Sequence, residues 1–597
     1  MKYLLLLSCA LFLGCQSTAK RQAELSVPFN AFLEDVFNEE LHHSPEWMTR
    51  MGMDDRNGEW TDRSERALLE GQNRLQKALN RMRSEFRKGD LSDDDALSYR
   101  LFEYNAERRI EGYRWRMYSY PVNQMFGRHK GAPALLINAH RVNNLQQAEA
   151  YVKRLEGMGP LLNQLASDLT LREEMGIIPP SFVFPLVIQD CRNVIAGRPF
   201  TEIGEASILL ADFTKKVAAL QDLGPGRKEL LLARAETALV ASVRPGYEEL
   251  LRVLESQQWL ATEVAGIWKW PAGDEYYAFA LERTTTTDMT PDEIHELGLE
   301  EVARIHGEMR AIQEQVGFKG DLTAFFEHLR TDSKFYYPNT DQGRDDYLAK
   351  ATEIVANMRK RIPEVFKTLP KAEMEVKAVE AYRAKSSGKA FYSSGTPDGS
   401  RPGTYYANLY DMADMPTYQM EALAFHEGIP GHHMQIAIAQ ELQDVPRFRK
   451  FGGYTAYSEG WGLYSEYLPK EMGFYEDPYS DFGRLAMELW RACRLVVDTG
   501  IHDRRWSRER AIDYLVENTP NPQGDCRKAI ERYIVMPSQA TAYKIGMIKI
   551  LQARADAEKR MKGRFDLGEF HDVVLRSGPV PLSVLEERVR AWSRKNR

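Results

Sequence analysis

The stretch "TPDEIHELGLEEVARIHGEMRAI", beginning at Thr290, constrains this chain more than any other feature. Thr290 and Glu293 have the spacing of a capping box, and Pro291 takes the first helical position, where its missing N–H costs nothing. Ile294, Leu297, Val302, Ile305, Met309 and Ile312 then follow at helical period along one face. Segments 65–87, 145–172, 205–257, 345–368, 483–503 and 538–562 read the same way, whereas strand-like stretches such as "GTYYANLY" (403–410) are few and short. No repeat, low-complexity tract or long linker interrupts the pattern. It predicts a mainly α-helical fold with one large body over residues 31–597, its chemistry concentrated after residue 380.

The N-terminus, "MKYLLLLSCALFLGCQSTAK", combines one Lys, an apolar run too short to span a membrane, and Gly-Cys. It resembles a bacterial lipoprotein signal over residues 1–14, cleaved before a lipidated Cys15, with a tether to residue 30. An ordinary secretion signal is the alternative. Gln16 in place of Asp resembles lipoproteins sent to the outer membrane, so the expected location is the periplasm-facing cell envelope, held to a membrane by lipid. Cys191, Cys493 and Cys526 remain, an odd and widely spaced set that fits buried apolar thiols better than a disulfide framework. Net charge is −7 with both signs scattered and no basic stripe, which argues against nucleic acid as a partner. Oligomeric state leaves no mark in the sequence.

Chemistry gathers first at "FHEGIPGHHMQ", residues 425–435. A zinc-hydrolase helix is written His-Glu-x-x-His, but here the residue four after His426 is Pro430. Pro430 lacks the N–H for the carbonyl of His426 and Gly431 loosens the chain further, so the helix should break between Gly428 and His432. In an unbroken helix His426 and His433 would share a face but sit roughly 10 Å apart along the axis. His432 would lie closer but point elsewhere. A Pro-Gly bulge can deliver either one as the second ligand. Downstream, "YTAYSEGWGLYSEYL" offers Glu459 as a third ligand on the next helix, with Glu466 two turns on as its neighbour on the same face. Glu427 would then be the general base acting on metal-activated water. Buried, hydrogen-bonded core histidines are the structural alternative.

Other residues could complete such a site. Arg491, Arg494, Asp498 and His502 fall on one stripe of an otherwise apolar helix. They read as support for a metal and guanidinium recognition of a carboxylate or carbonyl, or equally as a buried salt-bridge network. Tyr543 and Lys544 in "QATAYKIG" could meet an oxyanion or pack in the core. Arg401 and the strand carrying Tyr406 could pair with an extended peptide, or form a simple hairpin.

Together, "DGSRPGTYYANLY", "HEGIPGHHMQ", "YSEGWGLYSE", "RLVVDTGIH", "QATAYKIG" and "SGPVPLSVLEERV" resemble the bacterial family known as domain of unknown function 885, many members of which are lipoproteins. Ser538 departs from the pattern, where the family usually has Pro-Gly-Gln. The resemblance implies a helical fold similar to neurolysin and the carboxypeptidase Taq group, with a deep channel, a short β element beside the histidine helix, and one zinc ion. The carry-over rests on His426, His432, His433 and Glu459 as metal ligands and Glu427 as the base. Two classes of function follow: a zinc peptidase of the envelope acting on peptides, or a non-catalytic lipoprotein that keeps the fold and binds a ligand.

Overall fold

The computed structural model describes residue 22 and residues 24–380, 384, 387–396, 401–443 and 445–597. Cys15 and the signal segment lie outside the described residues. Helix accounts for 70% of the structure, and the sheet found among the described residues has only three strands, so the fold is mainly α. The chain divides into two compact units, Met1–Val264 and Ala265–Arg597.

In the first unit, helix α1 (Leu145–Glu174) packs on α2 (Arg244–Leu260). Their crossing is close because a Cβ on Gly246 would lie 2.8 Å from the Cα of Gly159. The 205–257 segment is not one helix. It comprises Ile208–Ala218, Pro225–Ala238 and α2, the last two joined by a wider turn at Leu239–Val243. Gly224 and Pro225 restart the chain between the first two of these, at the start of Pro225–Ala238.

The second unit carries α3 (Pro291–Gln315), β1 (Met374–Ala378), β2 (Ala390–Ser393), β3 (Gly403–Ala407), α4 (Met420–Glu427), α5 (His432–Glu441), α6 (Thr455–Glu471), α7 (Pro478–His502), α8 (Gln523–Val535) and α9 (Ala542–Met561). The capping box of α3 forms: Thr290 accepts from the Glu293 amide and Glu293 accepts from the Thr290 amide at 2.8 Å. Its apolar face buries Ile294, Val302, Ile305, Met309 and Ile312 and packs along α7. From Ser480 to His502 every residue of α7 is buried except Trp490 and Arg491, which are half-buried. A helix enclosed on all sides is the centre of its unit, so its polar side chains must find partners or a cavity.

Two local expectations change. The helix read as starting near Asp414 is preceded by short 3-10 turns at Met412–Asp414 and Thr417–Gln419 and begins at Met420. The sheet order is β1-β3-β2, so β3 lies in the middle. Tyr405 is opposite Val376 on the parallel side and opposite Tyr392 on the antiparallel side. With both edges of β3 taken, its backbone has nothing left for an extended peptide, and the pairing expected at this strand does not apply. Cys191, Cys493 and Cys526 are free and buried, and burial pushes their thiols up.

Candidate metal centre

The interruption between α4 and α5 decides which histidine joins His426. The helix stops after Glu427, and residues 428–431 form a turn with a cis Ile429–Pro430 peptide. The turn is held by three bonds: the His433 amide donates to the Gly428 carbonyl (3.2 Å), the Gln435 amide to the Gly431 carbonyl (3.1 Å), and Trp461 Nε1 to the Pro430 carbonyl (2.9 Å). Gly431 fits because a Cβ there would lie 1.9 Å from the His426 carbonyl oxygen. Resetting the helix in this way brings the rings of His426 and His432 edge to face, centroids 4.8 Å apart.

Helix α6 meets these rings with one face. Glu459, Gly462 and Glu466 are spaced to share it. Glu459 Oε2 lies 3.6 Å from Nε2 of His426 and 3.5 Å from Nε2 of His432. Glu466 Oε1 accepts from Nδ1–H of His426 at 2.7 Å, which fixes the tautomer and leaves Nε2 to face Glu459. Between them, Gly462 leaves the room the ring occupies: a Cβ would lie 2.6 Å from His426 Cε1. The imidazole is therefore seated on a missing side chain.

Ligand atoms of His426, His432 and Glu459 all lie within 4.8 Å of one another. Their separations from the carboxylate are at the outer limit for hydrogen bonds. They match instead the edge of a tetrahedron with arms of about 2.1 Å, roughly 3.4 Å, which is the geometry of zinc with nitrogen and oxygen donors. Burial opposes charge on His426, but the Glu459 and Glu466 carboxylates outweigh it and push the imidazole up to about 10. Glu459 is half-buried; desolvation opposes its charge, yet the two histidines hold its carboxyl well below the usual range. Three carboxylates around two imidazoles, Glu427 being the third, make a cation-seeking site. The donor set and its spacing fit one zinc-sized ion.

Glu427 stands apart from the three ligand atoms' set. It is 8% exposed, and among the described residues its carboxylate has no hydrogen bond or ion pair. It acts electrostatically on His426 and on Tyr405. Alternation along β3 puts the buried Tyr405 on the opposite face from Tyr406, whose ring stacks on Phe391 at 5.0 Å. Tyr405, not Tyr406, is therefore the strand residue within reach of Glu427.

The remaining candidates separate into two groups. His433 points away from the cluster, with Tyr392 Oη at 3.0 Å from Nδ1 and the Ala372 carbonyl at 3.1 Å from Nε2. Both ring nitrogens are thus committed, and it cannot share an ion with His426. His502 accepts from the Ile267 amide (3.3 Å) and donates to the Tyr533 carbonyl (3.1 Å), a core role with no free nitrogen. Asp498 accepts from Tyr277 (2.6 Å) and the Ser538 amide (3.0 Å), and burial pushes its carboxyl up to about 7. Lys544 is enclosed by Glu301 at 2.8 Å and Glu488 at 2.5 Å, with Arg304 on the same two carboxylates. That network consumes its charge and leaves none for an oxyanion. Arg401 is exposed on the loop before β3.

Arg491, Arg494 and Tyr543 stay beside the cluster. Arg491 lies 3.9 Å from Glu466, and Arg494 is within electrostatic reach of Glu459. The Arg494 guanidinium lies 4.3 Å from the Tyr543 ring centre, and Arg532 donates to the Tyr543 hydroxyl at 3.4 Å. Sequence reasoning passed over Gly462 and Arg532. The signal for Gly462 was present: glycines at 460 and 462 inside a helical run are costly, so packing has to demand them.

Fold and site together define a helical protein with a partly buried His-His-Glu cluster that could hold a metal. The chain belongs to the bacterial protein family of unknown function DUF885, whose model matches residues 45–589. A crystal structure of a protein from Colwellia psychrerythraea, described as a "putative lipoprotein", is 29% identical. The match covers 96% of this chain and 99% of that one, with a TM-score of 0.86. A "putative lipoprotein of unknown function" from Shewanella oneidensis is 17% identical over 94% and 99% of the two chains, TM-score 0.72, and shares the fold. No curated protein matches the chain.

Proposed function

We propose that this protein is a zinc-dependent hydrolase of the bacterial cell envelope, acting on peptides. The observation that carries the reading is the His426–His432–Glu459 cluster, with both histidine nitrogens about a tetrahedral edge from the Glu459 carboxylate and the uncommitted carboxylate of Glu427 beside it. A pure binding site has no use for a buried, unpartnered carboxylate next to its ligands. His426, His432 and Glu459 would hold the ion, and Glu466 would orient His426. Bound zinc supplies Lewis acidity and makes water a better acid. Glu427 accepts the proton of the attacking water and hands it to the departing amine. Tyr543 stands beside the cluster and can hydrogen-bond the carbonyl oxygen as it gains charge.

The envelope location rests on the Gly14-Cys15 signal and on the descriptions of the two structural relatives as lipoproteins. The relation to neurolysin and the carboxypeptidase Taq group rests on the sequence resemblance. The test is metal analysis of purified protein followed by digestion of a peptide library read by mass spectrometry. About one zinc per chain and cleavage lost in His426→Ala are expected. Protein fully loaded with zinc that cuts no peptide would replace this reading with that of a binding lipoprotein.

A further inference from the structure

Several buried or half-buried cations among the described residues of the second unit are matched by acids. Lys544 sits between Glu301 and Glu488, Arg484 pairs with Asp481 at 2.8 Å, and Arg554 with Glu471 at 2.7 Å and Glu558 at 2.9 Å. Such pairing is the rule because an uncompensated buried charge is expensive. Arg494 breaks it. It is 7% exposed, forms no ion pair among the described residues, and its Nε and Nη1 are buried without hydrogen-bond partners. The rings of Tyr543 and Tyr533 lie 4.3 and 5.7 Å away, and Glu459 acts on it only through space. Behind Tyr543 stands Arg532, which has no acid partner among the described residues and donates to Gln539 (2.6 Å) and the Tyr543 hydroxyl. On the other side Arg491 donates to the Met487 carbonyl at 3.2 Å and lies 3.9 Å from Glu466, a carboxylate that already serves His426.

Arg494 therefore keeps N–H groups beside the metal cluster that no acid among the described residues engages. We propose that Arg494, backed by Arg532, binds a carboxylate of the substrate, so that the site selects peptides with an acidic group next to the bond it cleaves. A planar guanidinium with unspent N–H groups suits a carboxylate better than any neutral acceptor. The carboxylate has two sources, the peptide's own C-terminus or an Asp or Glu side chain. This inference builds on the hydrolase reading in that it places the bound group beside the reacting bond, but the binding itself needs no metal.

Binding can be measured on the metal-stripped mature protein, where turnover does not interfere. The probes are N-terminally labelled tetra-alanine as free acid, the same peptide as C-terminal amide, and amidated peptides with one internal Glu or Gln. A carboxylate should tighten binding by about 10- to 100-fold, the scale of one charge-assisted hydrogen bond pair. Preference for the free acid assigns the terminal carboxylate, and preference for Glu over Gln assigns the side chain. Arg494→Gln should abolish the preference, Arg494→Lys should keep part of it, and Arg532→Gln should weaken it, each with the melting temperature recorded. Equal affinity of wild type for acids and amides, or a preference that survives in Arg494→Gln, overturns the proposal. So does the absence of any carboxylate-dependent binding up to millimolar peptide. Failure of the hydrolase reading looks different: no stoichiometric zinc and no cleavage, whatever the binding preference.

Discussion

Replacing Glu427 by Gln keeps its shape and removes its basicity, which separates chemistry from ligation. Zinc content should stay near one per chain, while peptide hydrolysis falls by roughly two to four orders of magnitude, the usual contribution of a positioned acid–base group. A second comparison tests the ligand set. His432→Ala should lose the metal on dialysis, whereas His433→Ala should keep it, because both nitrogens of His433 are already bonded. Zinc retained in His432→Ala and lost in His433→Ala would reverse the assignment. At this scale, residue types and their clustering were legible in the sequence. Directions were not. His432 and His433 are adjacent and chemically identical, and only the backbone path through 428–431 separates them. Lys544 looked available because its partners Glu301 and Glu488 lie far off in sequence.

Glycine pairs set how the elements approach each other. In α6, a Cβ on Gly460 would lie 2.4 Å from the Gly546 backbone, and one on Gly546 would lie 1.9 Å from the Ala456 carbonyl oxygen. Gly546→Ala must therefore push α9 off α6, at a cost of about 1–3 kcal/mol or more. Because Glu459 precedes Gly460 on α6, zinc affinity should fall with the melting temperature, although residue 546 touches no ligand. Unchanged zinc affinity in a destabilised variant would uncouple the crossing from the site. Helices were legible wherever caps and period agreed, as in α3. The sheet order was not, since β3 pairs with strands on either side of it in space but both earlier in the chain. Ser538 shows the same limit: it sits at a φ of +70°, where the glycine usual in the family is unstrained. Its side chain compensates with bonds to Thr284 (2.7 Å) and Ala280 (3.0 Å).

For the whole molecule, buried neutral histidines set the response to acid. Burial pushes His140 and His502 down to about 4 and His571 to about 3. Each has both nitrogens bonded as a neutral tautomer, His571 for example to the Val365 carbonyl at 2.7 Å and the Tyr464 hydroxyl at 2.8 Å. Their folded values lie below the ordinary one near 6.5, so the unfolded chain binds more protons between the two. The stability they contribute is full above that ordinary value and is lost as pH falls towards and through the folded values. By pH 5 the loss is about 2 kcal/mol per histidine. Melting temperatures at pH 7.5 and 5.0 should differ accordingly, and less so in His571→Gln. Equal pH dependence in that variant would remove His571 from the account. The mainly helical character of the molecule was legible because period repeats over many segments. Its division after Val264 was not, because no change of composition marks it.

The broken helix also has a kinetic side. His426 and His432 ride on separate rods joined by the turn at 428–431, so a bound ion would clamp a joint as well as fill a site. Opening that joint is then the natural exit route for the metal. The amides of His433 and Gln435, whose bonds span the turn, should exchange with deuterated solvent more slowly once zinc is added. Amides around Gly460, inside the continuous α6, should not change. Metal release to a chelator should then be paced by the opening that those two amides report.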